Sequence, residues 1–110
     1  MDDLEMVKAC ALAIGIRLAN DTIAGKLYYF RDGGSTAPFD PLHDDALAMA
    51  LVKKLWLSLE SALLADGNPA WTVGHSDGEV YTEATDESLN RAICECVSRL
   101  PPSPESESHD

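Results

Sequence analysis

The spacing of the apolar residues changes within residues 46–59, and this change requires both a helix and a strand. Across residues 46–55 the apolar side chains recur at helical spacing. Leu57 and Leu59 then alternate with polar residues, which is the period of a half-buried strand. The sequence therefore predicts that a helix gives way to a strand between Lys54 and Trp56, and it excludes an all-helical or all-strand fold.

Two further helices are predicted, one before and one after this segment. The first covers residues 3–15, with Asp2 or Asp3 as its N-cap. Gly15 is expected to stop it, because glycine readily adopts the left-handed conformation that closes a helix. The last helix is predicted to begin at a cap formed by Thr85 or Asp86 and to end before a Pro-Pro pair.

Strand signals lie on both sides of the middle helix. Residues 26–30 are rich in strand formers, and an Asp-Gly pair at Asp77 separates two strand-like runs, residues 71–74 and 79–83. The predicted order is helix, strand, helix, strand, hairpin, helix. This order indicates an α+β fold in which three helices pack on about four mostly antiparallel strands.

The length of 110 residues suits one domain, which we place at residues 1–100. Residues 101–110 consist of proline, serine, acidic residues and one histidine, so we predict a disordered acidic tail. No apolar run approaches the roughly 20 residues of a membrane helix. The first five residues are acidic and apolar rather than basic, unlike a secretory signal, so a cytoplasmic location is expected.

The chain is strongly acidic, with 19 Asp and Glu against 8 Lys and Arg and a formal net charge of -11. Binding to nucleic acid or to anionic membranes requires clustered cations, and the only adjacent basic pair is Lys53-Lys54. The charge thus disfavours direct contact with either. An acidic surface keeps a small protein soluble and can also steer it toward a basic partner.

The densest polar cluster is His43-Asp44-Asp45, which could be read as a metal or acid–base site. Adjacent helical residues face different directions, so helix capping is the preferred interpretation. His75 and Asp77 lie beside the predicted hairpin turn, where turn chemistry explains the aspartate.

The three cysteines form no recognisable disulfide or metal pattern. Cys94 and Cys96 are two residues apart on a predicted helix and point in different directions, so they cannot pair without strain. Both lie late in that helix, where a thiolate is disfavoured. We therefore predict that they and Cys10 are reduced and partly buried, that the chain is not an enzyme, and that it needs no cofactor or metal.

The large aromatic residues allow two interpretations. They could form a binding face on one side of the sheet, since Trp and Tyr are common interface anchors. Packing in the core or against the sheet is the commoner role and the preferred interpretation. The residues concerned are Tyr28, Tyr29, Trp56, Trp71 and Tyr81.

Several segments together resemble the phage ABA sandwich domain family. Residues 41–51, reading PLHDDALAMAL, resemble the entry to the family's middle helix, and residues 89–97, reading LNRAICECV, resemble its final helix. Residues 57–60 and 71–73 fit its strand and hairpin. The chain departs from the family's pattern at Phe39-Asp40 and in its acidic tail.

The resemblance covers about residues 1–100. It implies a three-layer α/β/α sandwich in a small phage or prophage protein, and it supplies no activity and no catalytic residues.

These observations favour a non-enzymatic phage accessory protein that binds a host or phage protein. One form is an inhibitor of a bacterial defence system, such as an anti-CRISPR protein, whose acids occupy a basic nucleic-acid-binding surface. The candidate contacts are Asp40, Asp44, Asp45, Glu83, Asp86 and Glu87. The alternative is a small-molecule or nucleotide binder using Arg17, Arg31 and the aromatics, with a homodimer possible in either case.

Overall fold

The computed structural model describes residues 2–19, 27–30 and 34–100. The predicted tail at residues 101–110 lies outside the described residues, as do the residues between these ranges. The described part contains three helices and five strands: α1 (Asp3–Ala13), β1 (Tyr28–Phe30), β2 (Thr36–Pro38), α2 (Asp45–Leu55), β3 (Ser58–Leu63), β4 (Pro69–Ser76), β5 (Tyr81–Asp86) and α3 (Leu89–Ser98).

The strands form two antiparallel sheets. β1 pairs with β2, while β4 lies between β3 and β5 in a three-stranded sheet where Val73 is opposite both Leu59 and Ala84. The predicted α+β class, with three helices and antiparallel strands, is confirmed. The structure has five strands in two sheets, whereas about four were predicted. The strand that was missed is β2, which is only three residues long and ends in Pro38, a residue that is unfavourable within strands.

Helix α3 lies at the centre of the packing. It contacts β4 and β5 on one side and α1 and α2 on the others. Five of its residues are buried, and three of them are consecutive, so more than one face of the helix is covered: Ala92, Ile93, Cys94, Cys96 and Val97. The core around it also takes residues from α1, α2, the sheet and the segments flanking β1 and β2.

The N-caps show where sequence reasoning was right and where it was wrong. Asp44 caps α2 as predicted, accepting hydrogen bonds from the N–H groups of Ala46 (2.9 Å) and Leu47 (3.2 Å). For α3 the cap is Ser88 and not Thr85 or Asp86. Both predicted caps instead close β5, because strand pairing extends further than the hairpin signal indicated.

Gly15 closes helix α1, as predicted. The helix itself ends two residues earlier, at Ala13. Ile16 N–H donates to the Ala11 carbonyl at 2.9 Å, Gly15 N–H donates to Leu12 at 3.2 Å, and Gly15 has a φ of +74°. This is a Schellman motif, in which the left-handed residue satisfies carbonyls at the helix end.

Helix α2 also ends at a left-handed residue, but this residue is Trp56 rather than glycine, and its N–H donates to the Val52 carbonyl. Trp56 has a φ of 56° and a ψ of 49°, and Leu57 N–H donates to the Val52 carbonyl at 3.1 Å. The predicted change from helix to strand is confirmed at this residue. A left-handed conformation costs a non-glycine residue roughly 1–2 kcal/mol, and the indole, 89% exposed, gains little packing in return.

All three cysteines are unpaired, as predicted, and they are fully rather than partly buried. The Cys10 thiol points at the Cys94 carbonyl (3.8 Å), and the Cys96 thiol at the Thr82 carbonyl (3.7 Å). A hydrogen bond with Cys10, together with burial, raises the pKa of the Cys94 thiol. Burial raises the pKa of Cys96 to about 11. These two thiols are therefore protonated at neutral pH and poorly suited to act as nucleophiles.

The strain at Trp56 can be measured with two substitutions that remove the same indole. Trp56→Gly is expected to be more stable than Trp56→Ala by about 1 kcal/mol, since only glycine adopts the left-handed conformation without steric cost. Urea unfolding of both variants measures the difference. Equal stability would show that residue 56 is not left-handed in solution.

Burial of the cysteines predicts their reactivity. Ellman's reagent is expected to find no rapidly reacting thiol in the folded protein and all three in denaturant, because the side chains are closed off from solvent. The control is Leu12→Cys, which places a thiol at a site that is 83% exposed and should react at once. Rapid labelling of a native cysteine would contradict the packing of α3.

Candidate acidic interface

Two consecutive residues of α3 hold the first turns of all three helices together. The Asn90 amide donates to the Asp45 carboxylate (2.8 Å) and to the Leu42 carbonyl (3.4 Å), which ties α3 to α2. The Arg91 guanidinium donates to the Asp3 carboxylate (2.8 Å), which ties α3 to α1. The N-terminal turns of the helices therefore lie at one end of the molecule.

The acidic residues predicted as contacts are divided between this end and the sheet. Those at the helix N-termini and the turns before them are grouped with Asp3, and we call this group the acidic end: Asp3, Asp40, Asp44, Asp45, Asp86 and Glu87. Glu83 lies apart, on β5, where its carbonyl accepts from Arg99 near the other end of α3. The predicted set is thus divided between the helix N-termini and strand β5.

Several carboxylates of the acidic end also have local structural roles. Asp44 caps α2, Asp86 accepts from the N–H of Ser88 (2.8 Å), and Asp40 accepts from the His43 ring (2.9 Å). The partial positive charge of a helix N-terminus stabilises such groups and reduces their mutual repulsion. Capping thus explains why these residues sit here, while their remaining oxygens face solvent.

Arg91 compensates only part of this charge. Its hydrogen bond and ion pair with Asp3 raise the pKa of the guanidinium, and Glu95 lies at a longer 3.9 Å. Other basic residues lie at the opposite ends of α2 and α3, with Lys53 and Lys54 in the last turn of α2 and Arg99 after α3. The acidic end is therefore negative on balance. Asp3 was missed as a candidate, although acids in a predicted first helical turn were a usable signal.

One face of the three-stranded sheet is exposed and carries an aromatic side chain. Tyr81, 60% exposed, lies across Gly74, where an added Cβ would collide with the phenol and lie 3.0 Å from Ser58 Oγ. A glycine weakens a strand because it has no side chain to pack, and the Tyr81 ring compensates by packing over it. Burial of its hydroxyl and the nearby Glu83 raise the pKa of Tyr81.

The preference for aromatics packed in the core or against the sheet was wrong for Trp56, while Tyr81 packs against the sheet at Gly74. Trp56, Trp71 and Tyr81 are 89%, 38% and 60% exposed, whereas Tyr28 and Tyr29 are half-buried as expected. Trp71 and Tyr81 lie on opposite faces of the sheet, as the strand register shows. These side chains therefore form no single aromatic binding surface.

The other polar candidates have structural roles. Asp77 accepts from the N–H groups of Glu79 (2.9 Å) and Val80 (2.7 Å), which lowers the pKa of its carboxyl and confirms its predicted place in the turn. Among the described residues, no group of three or more His, Cys, Asp or Glu side chains is arranged to hold a metal ion. None of the described helices combines the length and apolar character needed to cross a bilayer.

One depression and one arginine among the described residues bear on the nucleotide-binding alternative. A shallow depression of about 490 Å³ at the end of the β3–β4 hairpin is lined by small and apolar residues, none of them cationic. The Arg17 guanidinium lies 5.3 Å from the centre of the Phe30 ring, in a cation–π contact. Arg31 lies outside the described residues.

Comparison with known proteins adds a structural likeness. No protein-family model matches the chain, so the resemblance to the phage ABA sandwich domain family stays a prediction. No curated protein sequence matches it either. A crystal structure of a phage protein from Bacillus cereus ATCC 14579 has a similar fold, with a TM-score of 0.62 and 17% sequence identity over 89% of this chain and 90% of that chain. At this identity the likeness shows a shared fold.

Proposed function

We propose that this protein is a small phage accessory protein that binds a host or phage protein through its acidic end. The observation that carries the proposal is the pair of contacts made by Asn90 and Arg91, which holds carboxylates from separate segments at one place. The phage assignment draws on the shared fold with the Bacillus cereus phage protein and on the sequence resemblance.

The chemistry of the acidic end favours a basic partner. Opposite charges across an interface accelerate association and select partners, and the effect extends over the whole field of a chain with a net charge of -11. A protein that binds nucleic acid presents such a surface, with Lys and Arg arranged for phosphates. Carboxylates spaced along the acidic end would occupy those cations and block nucleic acid.

This mode of action fits an inhibitor of a bacterial defence system that uses nucleic acid, in the manner of anti-CRISPR proteins. Such an inhibitor acts in the bacterial cytoplasm and needs only affinity, without a chemical step. The protonated thiols of Cys94 and Cys96 and the structural role of Asp77 support a non-enzymatic role.

The proposal predicts a salt-sensitive partner that depends on particular carboxylates. Tagged protein should enrich a nucleic-acid-binding protein from bacterial lysate at low salt and retain less of it at moderate salt, because salt screens exposed charges. The double variant Asp45→Asn, Glu87→Gln should weaken binding to that partner roughly threefold to tenfold, at about 0.5 kcal/mol for each exposed pair lost. Asparagine at position 45 still offers an oxygen to Asn90.

The matched control removes the same charge from the β4–β5 hairpin, through Glu79→Gln in the turn and Glu83→Gln on β5. This control variant should bind the captured partner as tightly as the unmodified protein does. Weaker binding would mean that Glu83 belongs to the contact surface. Equal weakening by both double variants would show that only net charge matters and would contradict a located site. Capture that is indifferent to salt and to both variants, or no captured protein at all, would overturn the proposal.

A further inference from the structure

Strand β3 has one free edge. In the described residues it is bonded to β4 alone, so its other side carries unpaired backbone groups. Leu64 N–H donates to the Asn68 carbonyl at 2.9 Å, and bonding alternates from there along the antiparallel register. Even-numbered residues of β3 thus bond to β4, which leaves the outward N–H and C=O groups on Leu59, Ser61 and Leu63.

This edge lacks the features that usually prevent strand pairing. Exposed edges are commonly protected by charged residues, proline or bulges. The residues of β3 include one charged side chain, Glu60, and no proline. Leu63 is 74% exposed, and Trp71 lies beside Ser61 on the same face of the sheet. The β3 edge therefore carries a single charge, and among the described residues only β4 pairs with this strand.

The sequence of β3 suits a second copy of this chain as the occupant at this edge, because the strand can pair antiparallel with itself without placing like charges opposite each other. Two molecules with a net charge of -11 repel each other over most approaches, and the repulsion is least where both present few charges. A basic partner would gain little here, because Glu60 is the only acid in the strand. The same surface on both molecules is also what a twofold dimer requires.

The pleat restricts how two β3 strands can pair. Directly opposed residues of antiparallel strands point to the same face, so a symmetric pair must be centred on a residue. Centring on Glu60 places two carboxylates face to face at the closer, non-hydrogen-bonded spacing, which is destabilising. Centring on Ala62 shortens the overlap and leaves Leu59 without an opposite residue in β3.

Centring on Ser61 avoids both problems. Leu59 is then opposite Leu63 of the second copy, and Glu60 is opposite its Ala62. The two Ser61 residues face each other in a hydrogen-bonded pair, and Trp71 flanks each serine on β4. Because serine is small, the Trp71 rings on either side of the Ser61 pair have room to cover the seam, the line along which the two β3 strands meet. This register uses every outward backbone group between Leu59 and Leu63.

We infer that the protein forms a twofold dimer in which β3 pairs antiparallel with β3 of a second copy, centred on Ser61. The two three-stranded sheets become one continuous sheet. The dimer leaves the acidic end of each copy outside the seam, so it is independent of the proposed function.

A cysteine placed at the centre tests both the dimer and its register. In Ser61→Cys the two thiols face each other across a hydrogen-bonded pair, with Cα atoms about 5.5 Å apart, within the range of a disulfide. Mild oxidation should convert this variant to a covalent dimer on a non-reducing gel. The native cysteines are buried and should give little background.

Two control variants establish the register. Ser58→Cys lies on the same strand but is opposite residue 64 of the second copy, so it should not cross-link. Glu60→Cys should cross-link less than Ser61→Cys, because its centre is offset. Equal yields from all three variants, or a maximum at residue 60 or 58, would overturn the inferred register.

Light scattering of the full chain measures the dimer directly. The unmodified protein should have twice the mass of one chain, and Leu63→Glu should be a monomer at the same concentration because it places a charge in the seam. Leu12→Glu makes the same change at an 83% exposed site on α1 and should stay dimeric. A monomeric unmodified protein, or a Leu63→Glu variant that stays dimeric, would overturn the inference.

Discussion

Burial of α3 on more than one side is the constraint on which the rest of the structure depends. The helix fills the space between the three-stranded sheet and the other two helices, so it makes the main helix–helix and helix–sheet contacts of the described core. Small side chains at Ala92, Cys94 and Cys96 allow close approach, while Ile93 supplies volume. In a chain of this size no second core can compensate for a defect here.

The same helix connects packing to surface chemistry. Asn90 and Arg91 lie at its exposed start and bind the first turns of α2 and α1, so the position of α3 determines which acids become neighbours. Helix N-termini attract carboxylates for local reasons of capping and dipole. When three such termini meet, local capping residues become a collective negative surface, which is the basis of the proposed binding role.

The sheet shows how a small domain leaves surfaces uncovered. α3 covers one face, and the other face is exposed with Tyr81 lying over Gly74. The β3 edge has one acidic residue in an otherwise very acidic chain, which is why we assign it to self-association and the acidic end to a basic partner. The two surfaces have different chemistry and lie on different elements, so both can be occupied at once.

Local features of the fold were predictable from the sequence because they depend on neighbours in the chain. Helical and strand periods, the cap at Asp44, the stop at Gly15 and the turn at Asp77 each need only a few consecutive residues. The change from helix to strand at Trp56 was also correctly predicted.

Features that depend on contacts between distant segments were decided by the tertiary structure. β2 is a strand because it pairs with β1. β5 extends to Asp86 because β4 pairs with it over that length, and the N-cap of α3 is therefore Ser88. Glu83 is separated from the acidic end by the direction of β5, and Asp3 joins that end through Arg91. A single sequence specifies local conformation by short-range sterics and hydrogen bonds, whereas a surface forms only when packing brings separate segments together.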